Sequence, residues 1–306
     1  MKNRRKGFTC GRDRSERIWF VRRMMGRVGG MLLQGMLVLC GLAVCSPVAL
    51  LLTGSITDSM ELGQALSPIF YEGEGFLSWR LLPDYPTAAS YGKLLFLSPQ
   101  FFVLFWNSVK ITGLILAGQM LVAIPAAWAF AVYPFRLRGV LFSLYVVLML
   151  LPFQVTMLPS YLVLDRLGLM DTQAAVILPA VFSTFPVFLI YRGFAGIPVA
   201  LLEAGRMDGA EEWQCFVYLG LPLGAPMILS ALVLGFLDYW SMVEQPLCFI
   251  QNRSLWPLSL YLPQIGLKQS GFAFAASVIT ILPAVFLFLL GQDYLEQGIT
   301  MSGLKE

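Results

Sequence analysis

The chain has 306 residues, of which 58% are hydrophobic and 13% are charged, and its mean hydropathy is +0.73. Soluble domains are about one-quarter charged, so this composition indicates an integral membrane protein rather than a soluble one. The absence of histidine removes the commonest general base and metal ligand. The five cysteines lack metal-ligand spacing, so neither a zinc site nor a disulfide framework is expected.

A basic segment precedes the first apolar run. Residues 1–27 contain ten Lys or Arg and two acids, and the run from 30 to 52 is long enough to cross a membrane as a helix. Such a basic segment sets membrane orientation far more often than it binds nucleic acid, so we expect residues 1–29 to form a cytoplasmic tail. A cleaved signal peptide is the alternative, but the run is long for one and Val44 precedes Cys45.

Five further apolar runs follow a polar loop from 53 to 100 that we expect outside the cell. They lie near 108–130, 139–161, 173–191, 222–241 and 272–291. The predicted fold class is an all-α integral membrane protein with six transmembrane helices, a core over 101–292 and a C-terminal tail over 293–306. Six spans place both termini on one side, and the basic tail makes that side the cytoplasm of a multi-pass inner or plasma membrane protein.

A charged, glycine-punctuated segment separates spans four and five. We call this segment, residues 197–221, the elbow, and the predicted topology places it in the cytoplasm. Pro198 suits the first turn of a helix over 199–207, and Gly209 can take the left-handed conformation that ends a helix.

A second helix is predicted from Ala210 to Leu221, with Asp208 and Glu211 spaced as its capping box. In the first helix, Glu203 and Arg206 have the spacing of an ion pair. One interpretation is a surface hairpin that keeps the loop hydrated. The small residues favour close approach by a partner instead, and they are Ala204, Gly205, Gly209 and Ala210.

A pattern runs from the elbow into the fifth span: Glu203-Ala204-Gly205, then Gly209 after three residues, Leu219 after nine more, and Leu221-Pro222 after one. This pattern resembles the EAA loop of the membrane subunits of ABC importers, with every spacing kept. Gly205 stands where the motif has its second alanine, and Leu219 where it has isoleucine.

Other segments from about residue 30 onward resemble the carbohydrate-uptake branch of that family, the MalG-like permeases. They include Asn107-Ser108, Leu167-Gly168-Leu169 and Asp208-Gly209-Ala210. The C-terminal Gly298-Ile299-Thr300 with Lys305 is similar to the closing signature of that branch, from which Ser302, Gly303 and Glu306 depart.

The resemblance implies the fold of a type I ABC importer permease and makes the elbow a coupling loop that docks on a separate ATPase subunit. The implied coupling residues are Glu203, Ala204, Gly205, Arg206, Asp208, Gly209, Leu221 and Pro222. The implied partners are a homologous second permease, two ATP-binding cassette subunits, an external solute-binding protein and membrane lipid, but no nucleic acid. ATP and Mg would belong to the ATPase subunits, because this chain has no G-x-x-x-x-G-K-[ST] loop. No cofactor, metal or catalytic residue is expected here.

Polar and aromatic side chains within the spans are candidates for a substrate pathway, because polar groups are costly in a membrane. The candidates are Asn107, Gln119, Gln154, Tyr239, Trp240 and Glu244, with Thr156 and Asp238 beside them. Structural roles compete with this one. A glutamine can bond a neighbouring helix, and Tyr239 and Trp240 can anchor the chain at the membrane interface.

The predicted function is a permease subunit of an ATP-driven importer for a sugar or oligosaccharide, without enzymatic activity of its own. An ABC permease for a non-sugar solute is one alternative. An ion-coupled secondary transporter is another, although it would place charged residues at the span centres, where we find none. A scaffold without transport would have no need of the EAA spacing.

Overall fold

A computed structural model describes residues 10–70, 83–262 and 269–303. Within these ranges the chain is helical, apart from loops and one isolated bridge between Thr57 and Pro86. Three predicted features lie partly or wholly outside the described residues, namely residues 1–9 of the basic tail, residues 71–82 of the external loop, and Lys305.

The helices in chain order are α1 (Cys10–Ser55), α2 (Ser59–Phe70), α3 (Ala89–Leu97), α4 (Pro99–Val132), α5 (Arg138–Met149), α6 (Phe153–Arg166), α7 (Ala174–Val181), α8 (Thr184–Ala195), α9 (Val199–Met207), α10 (Glu212–Trp240), α11 (Glu244–Phe249), α12 (Leu258–Tyr261) and α13 (Ser270–Gly303). Five segments are long and apolar enough to span a membrane, and the bent pair α5–α6 makes six if it counts as one span. The predicted all-α membrane fold is confirmed, and the predicted spans fall on these helices, apart from single end residues and from breaks at 150–152 in the third span and 182–183 in the fourth. The division of the chain into tails, loop and core stays a prediction.

The predicted third span, 139–161, is not a continuous helix. Its two halves, α5 and α6, meet at 102°. Pro152 lies at the break in an extended conformation (φ −67°, ψ 151°). Proline cannot donate a helical hydrogen bond and disfavours helix in the residue before it, so α5 ends before Pro152 and α6 begins after it. Pro159 lies inside α6 without breaking it. The fourth span also breaks, between α7 and α8 at Phe182 and Ser183.

The centre of the molecule is formed by α4, α8, α10 and α13. The α8–α10 crossing depends on glycine: a β-carbon at Gly224 would lie 2.3 Å from Cε1 of Phe194, and one at Gly193 would lie 2.7 Å from Cβ of Met227. Small residues let membrane helices approach this closely. In contrast, α1 packs against α13 and leaves its apolar stretch exposed.

Candidate functional site

The first helix of the elbow, α9, spans Val199–Met207 as predicted, with Pro198 just before its first turn. Gly209 has φ +84°, which confirms the predicted left-handed conformation. The Gly209 N–H donates to the Arg206 carbonyl at 3.1 Å, and the Ala210 N–H donates to the Gly205 carbonyl at 3.0 Å. These two bonds satisfy carbonyls that would otherwise be unpaired at the helix end, and they fix the reversal of the chain.

The predicted capping box of Asp208 and Glu211 is wrong. Glu211 is itself the N-cap of α10, and its backbone N–H donates to Oε1 of Gln214 at 2.8 Å, which completes a capping box one turn later. Asp208 is the C-cap of α9. The second helix therefore begins at Glu212 and continues through a π-helical stretch, Cys215–Gly220, into the fifth span without a break.

The predicted pairing of Arg206 with Glu203 is also wrong. Arg206 Nε lies 2.8 Å from Oε1 of Glu212, and its second guanidinium contact to Glu212 measures 3.2 Å. The hydrogen bond and charge of Glu212 raise the pKa of Arg206 above its ordinary value. The Tyr133 hydroxyl donates to the same carboxylate at 3.2 Å. This cluster joins α9, the start of α10 and the end of α4.

The predicted coupling residues divide by exposure. Gly205 and Leu221 are half-buried. The exposed ones are Glu203, Ala204, Arg206, Asp208, Gly209 and Pro222. The elbow therefore presents a charged, small-residue surface on α9 and its turn, while the buried Leu202 holds α9 against the core.

A cavity of about 330 Å³ lies between the α5–α6 bend, the α7–α8 break, the end of α10 and α11. Its polar lining consists of Thr156, Ser160, Ser183, Thr184, Tyr239 and Gln245. Its aromatic lining otherwise consists of Phe153, Phe182, Phe185 and Phe249. All the described residues that line it are uncharged.

Two predicted pathway residues meet at the wall of this cavity. Gln119 is fully buried, and its Nε2 donates to the Tyr239 hydroxyl at 2.7 Å and to the Ala180 carbonyl at 2.8 Å. A carbonyl can only accept, so the amide nitrogen must face Ala180, and Oε1 of Gln119 is left without a partner among the residues that the structure describes. Gln119 thus bonds neighbouring helices from behind the wall, while Tyr239 lines the cavity.

Asn107 and Trp240 make structural contacts away from the lining. Nδ2 of Asn107 donates to the carbonyls of Ser254 at 2.8 Å and Trp256 at 3.1 Å. The Trp240 side chain is buried, and its indole N–H donates to the Thr280 carbonyl at 3.0 Å. Trp240 therefore holds α10 against α13.

Gln154 and Glu244 are brought together at the surface beside the cavity. Nε2 of Gln154 lies 3.1 Å from both carboxylate oxygens of Glu244. Their sequence neighbours Phe153 and Gln245 face the cavity instead. Sequence reasoning missed Gln245, and also Ser183, although Ser183 belongs to a polar pair that interrupts the apolar run of the fourth span.

Residues 119–301 match the family described as "Binding-protein-dependent transport system inner membrane component". An arabinooligosaccharide transport permease, AraQ of Halalkalibacterium halodurans, is 32% identical over 204 residues, which cover 66% of this chain and 73% of the relative. The maltose/maltodextrin permease MalG of Photorhabdus laumondii is 27% identical over 263 residues, which cover 82% of this chain and 88% of the relative.

The fold also matches a solved structure. A bacterial ABC transporter involved in the import of the acidic polysaccharide alginate aligns with a TM-score of 0.73 at 21% identity, over 94% of this chain and 99% of the other. The predicted resemblance to carbohydrate-uptake permeases is confirmed. The family match covers more than half of the chain, which is therefore a multi-pass membrane protein that belongs to the binding-protein-dependent transport system inner membrane component family.

Proposed function

We propose that this chain is a permease subunit of an ATP-driven importer for a sugar or oligosaccharide, and that it couples ATP hydrolysis on separate subunits to alternating access. The observation that carries this proposal is the elbow. Its exposed α9 reverses at Gly209 and leads into α10, a single helix whose other end carries Tyr239 into the cavity. The saccharides in the names of the two relatives support the choice of cargo.

The transporter we propose contains a homologous second permease, two ATP-binding cassette subunits and an external solute-binding protein. The description of the family, which refers to a binding protein, supports the last of these. The exposed part of the apolar stretch of α1, residues 33–49, offers a surface for lipid and for the second permease. ATP and Mg would bind the cassette subunits.

In this proposal the elbow and both termini are cytoplasmic, and α9 docks on a cassette subunit. Glu203 is exposed on α9, so its carboxylate is available to basic or polar groups of a partner. Ala204 beside it is small enough to let the backbone of that partner approach. The basic residues of the N-terminal tail support the orientation.

Affinity purification of the tagged chain in mild detergent tests the proposal. We expect a cassette subunit and a second permease to co-purify with the wild-type chain, and the complex to hydrolyse ATP. Glu203→Ala should release the cassette subunit without unfolding the chain, because the side chain is exposed. Asp165→Ala, which removes an exposed acid from the end of α6, is the matched control and should change nothing.

Gly209→Val tests the turn separately. No heavy atom lies within 4 Å of a β-carbon at residue 209, so the substitution strains the backbone by about 1–2 kcal/mol without a clash. We expect weaker cassette binding than in Gly139→Ala, a change at an open helical position. If nothing co-purifies with a folded wild-type chain, the importer assignment fails.

A further inference from the structure

The cavity beside Tyr239 has the size and lining of a ligand site. Its volume, about 330 Å³, is at the lower end of the range for small-molecule sites, roughly 300–1,000 Å³. It is half-open at the surface, where Phe182 and Phe185 are exposed. A volume of this size suits one sugar ring rather than a long oligosaccharide.

Two polar side chains in the lining, Tyr239 and Gln245, can form hydrogen bonds with a ligand hydroxyl group. The Tyr239 oxygen accepts a hydrogen bond from Gln119, so its own O–H is a donor that can serve either Ser183 or a ligand hydroxyl group. Oε1 of Gln245 has no hydrogen-bond partner among the described residues, and because it is buried, a ligand hydroxyl group reaches it only when the side chain turns into the cavity. A buried acceptor without a partner is destabilising, and a hydrogen bond from a ligand hydroxyl group would offset that cost.

Aromatic rings supply the remaining contacts. The half-buried Phe153 lines the cavity from α6, and the buried Phe249 of α11 supports its ring from behind, with ring centroids 6.2 Å apart and planes at 72°. Sugar rings present apolar C–H faces between their hydroxyl groups. A lining that combines aromatic faces with a few hydroxyl and amide groups therefore matches both parts of a sugar.

We propose that this cavity is a saccharide subsite on this chain, which takes one uncharged sugar ring through Tyr239, Gln245 and the ring of Phe153. Gln119 is a positioning residue that holds the Tyr239 oxygen from behind. The inference deepens the proposed function and rests on it, because it assigns the class of cargo and gives this chain direct contact with it.

The absence of charge in the described lining decides between neutral and acidic saccharides. A hydroxyl group can donate to Oε1 of Gln245 and also accept from Tyr239. A carboxylate can only accept, so it would oppose Gln245 Oε1 and would find no cation among the described lining residues to offset its desolvation. A neutral ring therefore fits this site, and an acidic ring does not.

The test uses the transporter assembled with its partner subunits and external binding protein in proteoliposomes. The probes are labelled arabinotriose and maltotriose, which are neutral, and labelled trigalacturonate, which is acidic. We expect ATP-dependent accumulation of a neutral trisaccharide at least tenfold above that of trigalacturonate. Tyr239→Phe and Gln245→Leu should each lower that accumulation at least fivefold at subsaturating probe, mainly through a higher KM.

Tyr161→Phe and Gln100→Leu are matched controls, because they make the same chemical changes at exposed positions outside the lining. Co-elution of all subunits confirms that each variant assembles. Preferential accumulation of trigalacturonate would overturn the neutral class, and unchanged accumulation by both cavity variants would overturn the subsite, while the importer function would stand in either case. If no saccharide accumulates although the complex hydrolyses ATP, the proposed function fails and this inference fails with it.

Discussion

Gly205 and Leu219 face each other inside the elbow: a β-carbon built on Gly205 would lie 3.0 Å from Cδ1 of Leu219. These are the two positions at which the elbow departs from the EAA pattern, with glycine in place of alanine and leucine in place of isoleucine. The departures are thus in contact. The absence of a side chain at residue 205 makes room for the longer reach of the leucine.

The two positions should therefore be coupled. Gly205→Ala alone gains helix propensity of about 1 kcal/mol but pushes Leu219 from its place. When Leu219→Ile is also present, the effect of Gly205→Ala on the free energy of unfolding should be more favourable by roughly 0.5–1 kcal/mol. A double-mutant cycle on the melting temperature of the assembled transporter measures this coupling. Strictly additive shifts would show that the contact has no energetic effect.

Replacing Gln119 by leucine should loosen three helices at once. The substitution removes the hydrogen bonds to Tyr239 and to the Ala180 carbonyl, each worth about 0.6–1.7 kcal/mol between membrane helices. We expect a lower melting temperature and a lower uptake rate. Gln100→Leu, at the exposed start of α4, is the control. A Gln119→Leu variant as stable as the wild type would contradict the role of this amide as a tie between helices.

Gly224→Val should damage the crossing of α8 and α10. The added side chain would begin 2.3 Å from the Phe194 ring, so the ring or the helix must move, at a cost of about 1–3 kcal/mol. Gly113→Val, where no heavy atom lies within 4 Å, makes the same change in α4 without a clash. Gly224→Val should therefore unfold at a lower temperature than Gly113→Val. Equal melting temperatures would count against close packing at Gly224.

The Arg206–Glu212 pair should control the geometry of the elbow more than its stability. Its side chains are half-exposed, so water and salt screen the attraction. Arg206→Glu and Glu212→Arg should each lower ATP-dependent uptake by roughly two- to fivefold, and the double reversal should restore most of it. Uptake by the double variant at or below that of either single variant would show that the charges act on something other than each other.

The spans and α9 could be predicted because each depends on a local signal. Apolar runs of sufficient length indicate spanning helices, and Pro198 and Gly209 bracket α9 with residues whose backbone preferences suit its two ends. In the third span the local signal was ambiguous, because Pro152 and Pro159 both lie inside the predicted span and the sequence does not show which of them breaks the helix. Only Pro152 takes the extended conformation that separates two helices. Membrane helices tolerate proline when neighbours satisfy the freed groups, which the sequence does not reveal.

The partner of Arg206 could not be predicted for a related reason. Spacing along one helix favoured Glu203, but the reversal at Gly209 folds Glu212 back onto Arg206. The cavity depends even more on distant parts of the chain. Tyr239, Ser183 and Gln245 come from three segments, and their meeting depends on the break between α7 and α8. Of these three residues only Tyr239 could be named from the sequence, and their grouping could not be predicted at all.

The uninterrupted course of α10 makes it a lever. Its 29 residues, at about 1.5 Å per residue, give a rod roughly 43 Å long with Glu212 at one end and Tyr239 near the other. A tilt of this rod moves both ends together, because no loop intervenes to absorb the displacement. The orientation of the elbow and the shape of the cavity wall are therefore linked through one helix, whose irregular part is its π-helical stretch, Cys215–Gly220.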